Sequence, residues 1–325
     1  MRALRCNQYG SVDSLVIEDV PGLIPAEGQV VVDVAAAAVN FPDVLLVADQ
    51  YQIHVPVPFT PGSEFAGTVS AVGAGVDGLA VGDRVMGAAL IGAFAEQILV
   101  PALSVQPVDP AVDLRSAAAS VVAHLTAYHS LRTVGRVEPG DWVVVLGAAG
   151  GVGLAAVELG TVLGARMLAA ASTPEKLALC LDKGAEAVID YRTENLKERV
   201  KEITGGGAHM VIDPVGGPAS EEALRALRWG GRFVSVGFAS GEIPRIPLNL
   251  VLLKGAIVTG FAMEGIGRNQ PEDVARDRAE LLDLLATGRV VPHVSAVYPL
   301  DQADRALADL AERRATGKVL IEPSA

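Results

Sequence analysis

Apolar residues along this chain follow two different rhythms. Up to about residue 120 they fall in short β-rich runs: Val30-Val-Val-Asp-Val-Ala, Gly67-Thr-Val-Ser-Ala-Val and Ala95-Glu-Gln-Ile-Leu-Val. Turn signals divide these runs at Pro61-Gly62, Gly73-Ala-Gly75 and Val81-Gly82-Asp83-Arg84. Short strands at such spacing predict a barrel-like β unit. The stretch from Ser116 to Thr133 is rich in Ala and Leu and predicts helix. From 141 to about 262 the rhythm changes, and apolar strands alternate with amphipathic helices. Strands are expected at 142–146, 166–171, 187–189, 209–212, 232–236 and 256–260, and helices near 151–163, 174–183, 194–203 and 219–228. Such alternation predicts an α/β doubly wound parallel sheet with helices on both faces. After Pro271 a further helix runs to about Ala286. Strands at 290–297 and 318–322 then flank a helix near 301–314. These last pieces read like the first region, so the chain is expected to return to it. The expected domains are 1–122 with 265–325, and 123–264 between them.

The turn after the strand at 142–146 carries the most chemistry. Trp142-Val-Val-Val-Leu runs straight into Gly147-Ala-Ala-Gly150-Gly-Val-Gly153 and then into a helix. A dinucleotide pyrophosphate needs this geometry: a turn without Cβ atoms in the way and helix N–H groups aimed at an anion. Ala149, Gly150, Gly151, Val152 and Gly153 are the expected cradle. Ala148 stands where G-x-G-x-x-G has its first glycine, leaving Ala148-x-Gly150-x-x-Gly153.

The following strand bears on which dinucleotide binds. NAD sites usually end it with a carboxylate for the ribose hydroxyl, roughly 20 residues past the glycines. Here that place holds Ser172, with Lys176 a helical turn further on and Tyr191-Arg192 after the next strand. Hydroxyls that donate and cations that neutralise suit a 2′-phosphate, so NADP is the expected cofactor. Thr173 also reads as a helix N-cap before Pro174, which is compatible with that role.

Composition narrows the class. At 325 residues, 50% of them apolar, the chain suits two domains with large cores. Its 26 basic and 38 acidic residues give a net charge of −12, which argues against nucleic acid or an anionic membrane surface as a partner. Cys6 and Cys180 are far apart and lack metal-ligand spacing, so a reducing compartment is expected. The first residues turn polar too early for a signal peptide, and apolar runs are broken by charges such as Asp33 and Glu158. A soluble, cytoplasmic protein is the expectation.

Several segments taken in order carry a resemblance: Asn40-Phe-Pro-Asp43, Pro61-Gly-Ser-Glu64-Phe-Ala-Gly67, Val81-Gly-Asp-Arg84-Val, Leu125-Thr126-Ala-Tyr128, the glycine turn, Ser172 with Lys176, Gly237-Phe238 and Gly317-Lys318. The chain resembles the medium-chain dehydrogenase/reductase superfamily, and within it the zinc-free quinone oxidoreductase (zeta-crystallin-like) branch, over nearly its whole length. The resemblance implies a discontinuous GroES-like β-barrel catalytic domain around a Rossmann domain, with the active site in the cleft between them. It also implies that Thr126, Gly237, Phe238, Phe261, Met263 and Lys318 approach the cofactor. Plain core packing is an equal reading for the aromatic and Met positions. Asp83 and Arg84 are expected to form a structural turn and ion pair.

The chain departs from the zinc-dependent members of that superfamily. Gly62-Ser63-Glu64 has Ser where they carry a His ligand, and no Cys lies between Cys6 and Cys180. Histidines 54, 124, 129, 209 and 293 include no i, i+4 pair, so structural or surface roles are expected for them. No metal is assigned. Without a Lewis acid the reaction must be one that hydride transfer carries nearly alone, to a quinone or an activated alkene. Related enoyl thioester reductases place an active-site Asn and a proton-donating Tyr at the separation of Asn40 and Tyr51. These two are the catalytic candidates. Two readings stay open for each: Asn40 faces cofactor or substrate, or sits in a turn before Pro42; Tyr51 hydrogen-bonds or protonates the reduced substrate, or lines an apolar pocket beside Ile53, Val55 and Phe59. The leading expectation is an NADPH-dependent quinone reductase. The alternatives are a reductase of alkenals, haloacrylates or enoyl thioesters, and a non-catalytic NADPH-binding protein. A homodimer is expected through the strand edge near Val251 to Phe261, whose apolar residues would otherwise be exposed.

Overall fold

The computed structural model describes residues 1–324, which divide into two compact units. The first unit takes residues 1–122 and the segment from Val291 onward, and the second takes Ala123–Val290. In the first unit β1 (Arg2–Arg5) and β2 (Val16–Asp19) form an antiparallel pair. There follow β3 (Gln29–Ala38), α1 (Phe41–Val47), β4 (Glu64–Val72), β5 (Arg84–Ala88), β6 (Gln97–Pro101), β7 (Val105–Pro107) and α2 (Leu114–Ser120). Most of β3 is buried because β3 is paired on both sides, with β4 on one edge and β6 along its first half on the other. Pro42 sits in the first turn of α1, where a missing N–H removes no helical bond.

In the second unit the strands are β8 (Trp142–Leu146), β9 (Arg166–Ala171), β10 (Ala187–Asp190), β11 (Ala208–Asp213), β12 (Leu227–Ser235) and β13 (Ile257–Gly260). They form one parallel sheet in the order β10-β9-β8-β11-β12-β13. In its own numbering this is 3-2-1-4-5-6, the doubly wound order, which reverses direction between β8 and β11. The unit opens with α3 (Ala123–His129). Helices between the strands are α4 (Gly151–Val162), α5 (Pro174–Asp182), α6 (Leu196–Thr204), α7 (Pro218–Ala226) and α8 (Leu248–Lys254), and α9 (Met263–Asn269) with α10 (Pro271–Ala286) follow the sheet. Every residue of β8 is buried, as a central parallel strand covered on both faces must be. The strand β12 begins earlier than expected because Leu227 pairs with Ala208 before a register break.

The return to the first unit comes at Val291, not near 265. The reason lies in α10, which packs on α3: buried Asp277 accepts from Thr133 Oγ1 at 2.5 Å and lies 2.6 Å from His129 Nδ1. Tyr128 donates to Glu280 at 2.6 Å beside this pair. After Val291 the chain adds β14 (Val294–Pro299), α11 (Ala303–Ala311) and β15 (Lys318–Glu322). The sheet of the first unit then runs β14-β15-β3-β4-β5-β7, with β15 parallel to β14 and antiparallel to β3. Its last strand made in sequence therefore lies inside the sheet. The helical stretch expected over 116–133 is two helices, α2 and α3, followed by a π turn over 130–134. Among the described residues no helix is long and apolar enough to cross a membrane.

Candidate dinucleotide and active site

In the second unit the glycine turn is shaped by what its glycines lack. Gly147 leaves β8 with φ +56°, and a Cβ there would lie 2.6 Å from Val215 Cγ2. At Gly153 a Cβ would lie 2.4 Å from the Gly147 carbonyl oxygen. Close packing of α4 on the turn thus requires glycine. Gly150 is the N-cap of α4, and no side chain caps the helix there. The turn Ala149–Gly153 therefore presents an uncapped helix end at the carboxyl edge of a parallel sheet, where anions are favoured.

Two strand ends lie next to it. Asp190 pairs with Ala171, so Ser172 and Tyr191-Arg192 emerge at neighbouring carboxyl ends of β9 and β10. Tyr191 is exposed and its N–H donates to Ala171 O at 3.3 Å. Thr173 caps α5, its hydroxyl accepting from Lys176 N at 3.3 Å, with Pro174 following as expected. This cap fixes the first turn of the helix that carries Lys176. On the other side of β8, Gly237 and exposed Phe238 follow β12, and Phe261 and Met263 follow β13. The Phe261 ring meets the His129 ring edge-on at 6.2 Å. Thr126 is buried on α3, with its carbonyl taking the Ser130 hydroxyl at 2.7 Å.

In the first unit the sequence candidates converge on a buried polar network. Asn40, the N-cap of α1, is only 7% exposed, and its amide is held at both ends. Lys318 Nζ donates to Asn40 Oδ1 at 2.6 Å, and Asn40 Nδ2 donates to Glu64 Oε2 at 2.9 Å. Lys318 Nζ also reaches Glu64 Oε2 at 2.9 Å and Val39 O at 3.3 Å. An ammonium has three hydrogens, and these three acceptors use them all. Lys318, expected to reach the cofactor, is thus 3% exposed and engaged within its own unit. The other Glu64 oxygen accepts from Val122 N at 2.6 Å. Asp43 completes the cluster, accepting from Asn40 N at 2.7 Å, while its Oδ1 has no hydrogen-bond partner among the described residues. Burial is the largest influence on this carboxyl and pushes it up to about 7; the Asn40 N–H, Ser63 and Lys318 oppose the shift and Glu64 adds to it.

Tyr51 lies just beyond α1, half-buried against the first unit's apolar core. Among the described residues its hydroxyl has no hydrogen-bond partner, whereas both ends of the Asn40 amide are taken. Asp83 and Arg84 do not pair as expected. Asp83 takes the Ala80 N–H at 2.7 Å, and Arg84 donates to the carbonyls of Pro110 and Val112 at 3.2 and 2.5 Å. Backbone acceptors on the β7–α2 connection satisfy its guanidinium. The histidines take structural or surface places: His209 accepts from Trp142 N, His54 lies beside Asp49, and His124 and His129 are buried. Among the described residues no group of three or more His, Cys, Asp or Glu side chains could hold a metal ion.

Sequence reasoning missed the parts played by Asp43 and Glu64, and the buried carboxylate of Asp213, which accepts from Val215 N, Gly216 N and the Ser220 hydroxyl. Glu64 was visible only as a motif letter, since its partner Lys318 is 254 positions away. Asp213 carried a readable signal, an acid closing an apolar strand before Pro214-Val-Gly-Gly217.

Comparisons with known proteins agree with this geometry. Residues 26–110 match the alcohol dehydrogenase GroES-like domain, and residues 151–284 match the family described as zinc-binding dehydrogenase. The chain is 36% identical to quinone oxidoreductase-like protein 2 of Mus musculus, over 98% of this chain and 91% of that protein. It is 34% identical to quinone oxidoreductase 1 of Escherichia coli (strain K12), over 98% of each. The crystal structure of Escherichia coli quinone oxidoreductase complexed with NADPH superposes with a TM-score of 0.93 at 32% identity, covering 99% of this chain and 100% of that one. With a doubly wound unit, a GroES-like unit and relatives matched nearly end to end, this chain belongs to the quinone oxidoreductase family of the medium-chain dehydrogenase/reductase superfamily.

Proposed function

We propose that this chain is an NADPH-dependent reductase of quinones that works without zinc. The observation that carries the reading is the cradle at β8–α4: a turn in which Cβ atoms would clash, opening onto a helix with no side-chain cap. Ala149, Gly150, Gly151, Val152 and Gly153 would hold the pyrophosphate, and Ser172, Lys176 and Tyr191 the 2′-phosphate end. The absence of a carboxylate at the end of β9 favours NADPH over NADH. When bound, the cofactor supplies a hydride. Thr126, Gly237, Phe238, Phe261 and Met263 are the proposed contacts of its nicotinamide half.

Zinc independence rests on the donors. Ser63 offers a hydroxyl where zinc-dependent members have an imidazole, and both Glu64 oxygens are already engaged. A quinone suits such a site because its carbon and oxygen atoms accept charge without a Lewis acid. On the catalytic side, Lys318 and Glu64 fix the orientation of the Asn40 amide. Tyr51 offers an unpaired hydroxyl that can hydrogen-bond a reduced oxygen. The same hydroxyl could donate a proton to carbon, which favours an activated alkene as the second reading. The unpaired edge of β13, with Ile257 44% exposed beside Leu252 at 80%, supports a homodimer. Two buried, unpaired thiols fit a cytoplasmic setting.

The test is NADPH and NADH oxidation with a benzoquinone or naphthoquinone and, in parallel, with a short 2-alkenal. The expected result is preference for NADPH and for the quinone, with Tyr51→Phe changing quinone turnover little. Preference for the alkenal, with turnover lost in Tyr51→Phe, would replace quinone reduction by alkene reduction. Tight NADPH binding with no turnover of either would make the protein a binder.

A further inference from the structure

Asp213 is the last residue of β11, immediately beyond the place where strand order reverses. It is 1% exposed and holds two loops at once. Its Oδ1 accepts from Val215 N at 2.8 Å and Gly216 N at 2.9 Å, and its Oδ2 from Ser220 Oγ at 2.5 Å. These bonds fix the loop 214–217 and tie it to the start of α7. The carbonyl of the same residue accepts from Val236 N at 2.8 Å and Gly237 N at 3.3 Å, holding the exit of β12. The two loops are then laced together: Ala239 N to Pro214 O, Ser240 N to Val215 O and Gly217 N to Glu242 O. Gly216, at φ +73°, leaves room for Phe238, whose Cδ1 would be 3.0 Å from a Cβ there. On the other side, Val215 fills the space left by the missing Cβ of Gly147. The carboxylate therefore fixes the 214–217 loop, and that loop in turn packs on the glycine turn through Val215 and is bonded through its backbone to the loop that carries Gly237 and Phe238.

We propose that Asp213 is a positioning residue for the nicotinamide half of the cofactor; this rests on the dinucleotide reading above. The division between halves follows from the sheet. Ser172, Lys176 and Tyr191 stand at the ends of β9 and β10, whereas the loops held by Asp213 follow β11 and β12. Strands lie about 4.8 Å apart, so β9 and β12 are separated by three such steps. A dinucleotide laid across the carboxyl ends puts its two halves on opposite sides of the reversal. Loosening the Asp213 loops should then affect one half only.

The test is equilibrium binding of NADPH and of adenosine 2′,5′-bisphosphate, which carries only the adenine end, together with thermal melting. Asp213→Ala is expected to weaken NADPH by about tenfold or more while leaving the bisphosphate within about twofold. Asp213→Asn should recover most of the NADPH affinity, because its amide oxygen can still accept from Val215 and Gly216 and its NH2 can meet Ser220. Should Asp213→Ala fail to fold, Ser220→Ala must show the same selective loss on a smaller scale. Equal weakening of both ligands, or no weakening of NADPH, overturns the positioning role. Failure of the unaltered protein to bind either ligand overturns the dinucleotide reading itself, and this role with it.

Discussion

Asp43 illustrates how little of a residue's behaviour its sequence neighbours reveal. In the sequence it is the last letter of the motif Asn40-Phe-Pro-Asp43; in the structure it is a fully buried acid in the first turn of α1, beside Glu64 and Lys318. Its carboxyl is ordinary near 3.8 in an unfolded chain and is pushed up to about 7 by burial here. The folded state thus holds a proton that the unfolded state has released between those values. Stability contributed by protonated Asp43 is full below about pH 4 and is lost as pH rises through about 7. Asp43→Asn carries no such penalty, and its amide oxygen can still accept from Asn40 N–H. The variant should gain on the unaltered protein as pH rises from 4 to 8, by as much as a few kcal/mol at about 1.4 kcal/mol per pH unit. Melting temperatures of the two across that range are the check; a gap that does not change with pH would refute it.

Elements were legible to different degrees. The strands β8 and β9 and the helix α10 appear where apolar periodicity placed them, because long local patterns encode local structure. The helix α8 was not anticipated: its leucines are mostly exposed, so its sequence carries no clear buried stripe. The assignment of α10 failed for another reason. Its anchor, Asp277 against His129 and Thr133, joins residues well over a hundred positions apart, and no local pattern reports such a pair. The glycine turn was legible because steric demand falls on single positions. Gly153→Ala forces a Cβ to 2.4 Å from a backbone oxygen that no side-chain rotation relieves. Stability should fall by about 1–3 kcal/mol, and NADPH binding should fall with it. Chemical denaturation and a ligand titration of the same variant would measure both; undiminished binding would mean that the turn does not hold the phosphates.

At the scale of the whole molecule, the exposed edge of the doubly wound sheet is the feature that asks for a partner. Trp229, Leu248, Leu252 and Leu253 are all more than two-thirds exposed in the second unit, as lone chains seldom leave large apolar side chains. The edge strand β13 adds Ile257 and Val258. A second copy pairing there would cover both the apolar surface and the open hydrogen bonds. Sedimentation at micromolar concentration should give twice the chain mass, and Ile257→Lys with Leu252→Lys should give the single-chain value. A single chain mass for the unaltered protein would remove the dimer.

The placement of β15 between β14 and β3 reaches beyond the finished molecule. During synthesis β3 leaves the ribosome long before the strand that flanks it and the lysine that neutralises Glu64, which follow only after the whole second unit. At bacterial or eukaryotic translation speeds that interval is on the order of tens of seconds. The intervening unit has all its own strands and can fold in the meantime. The β-rich N-terminal part must wait with an open edge and a buried carboxylate lacking its counter-charge. That interval, more than the folded state, is where a nascent chain of this design would be exposed to chaperones or to aggregation.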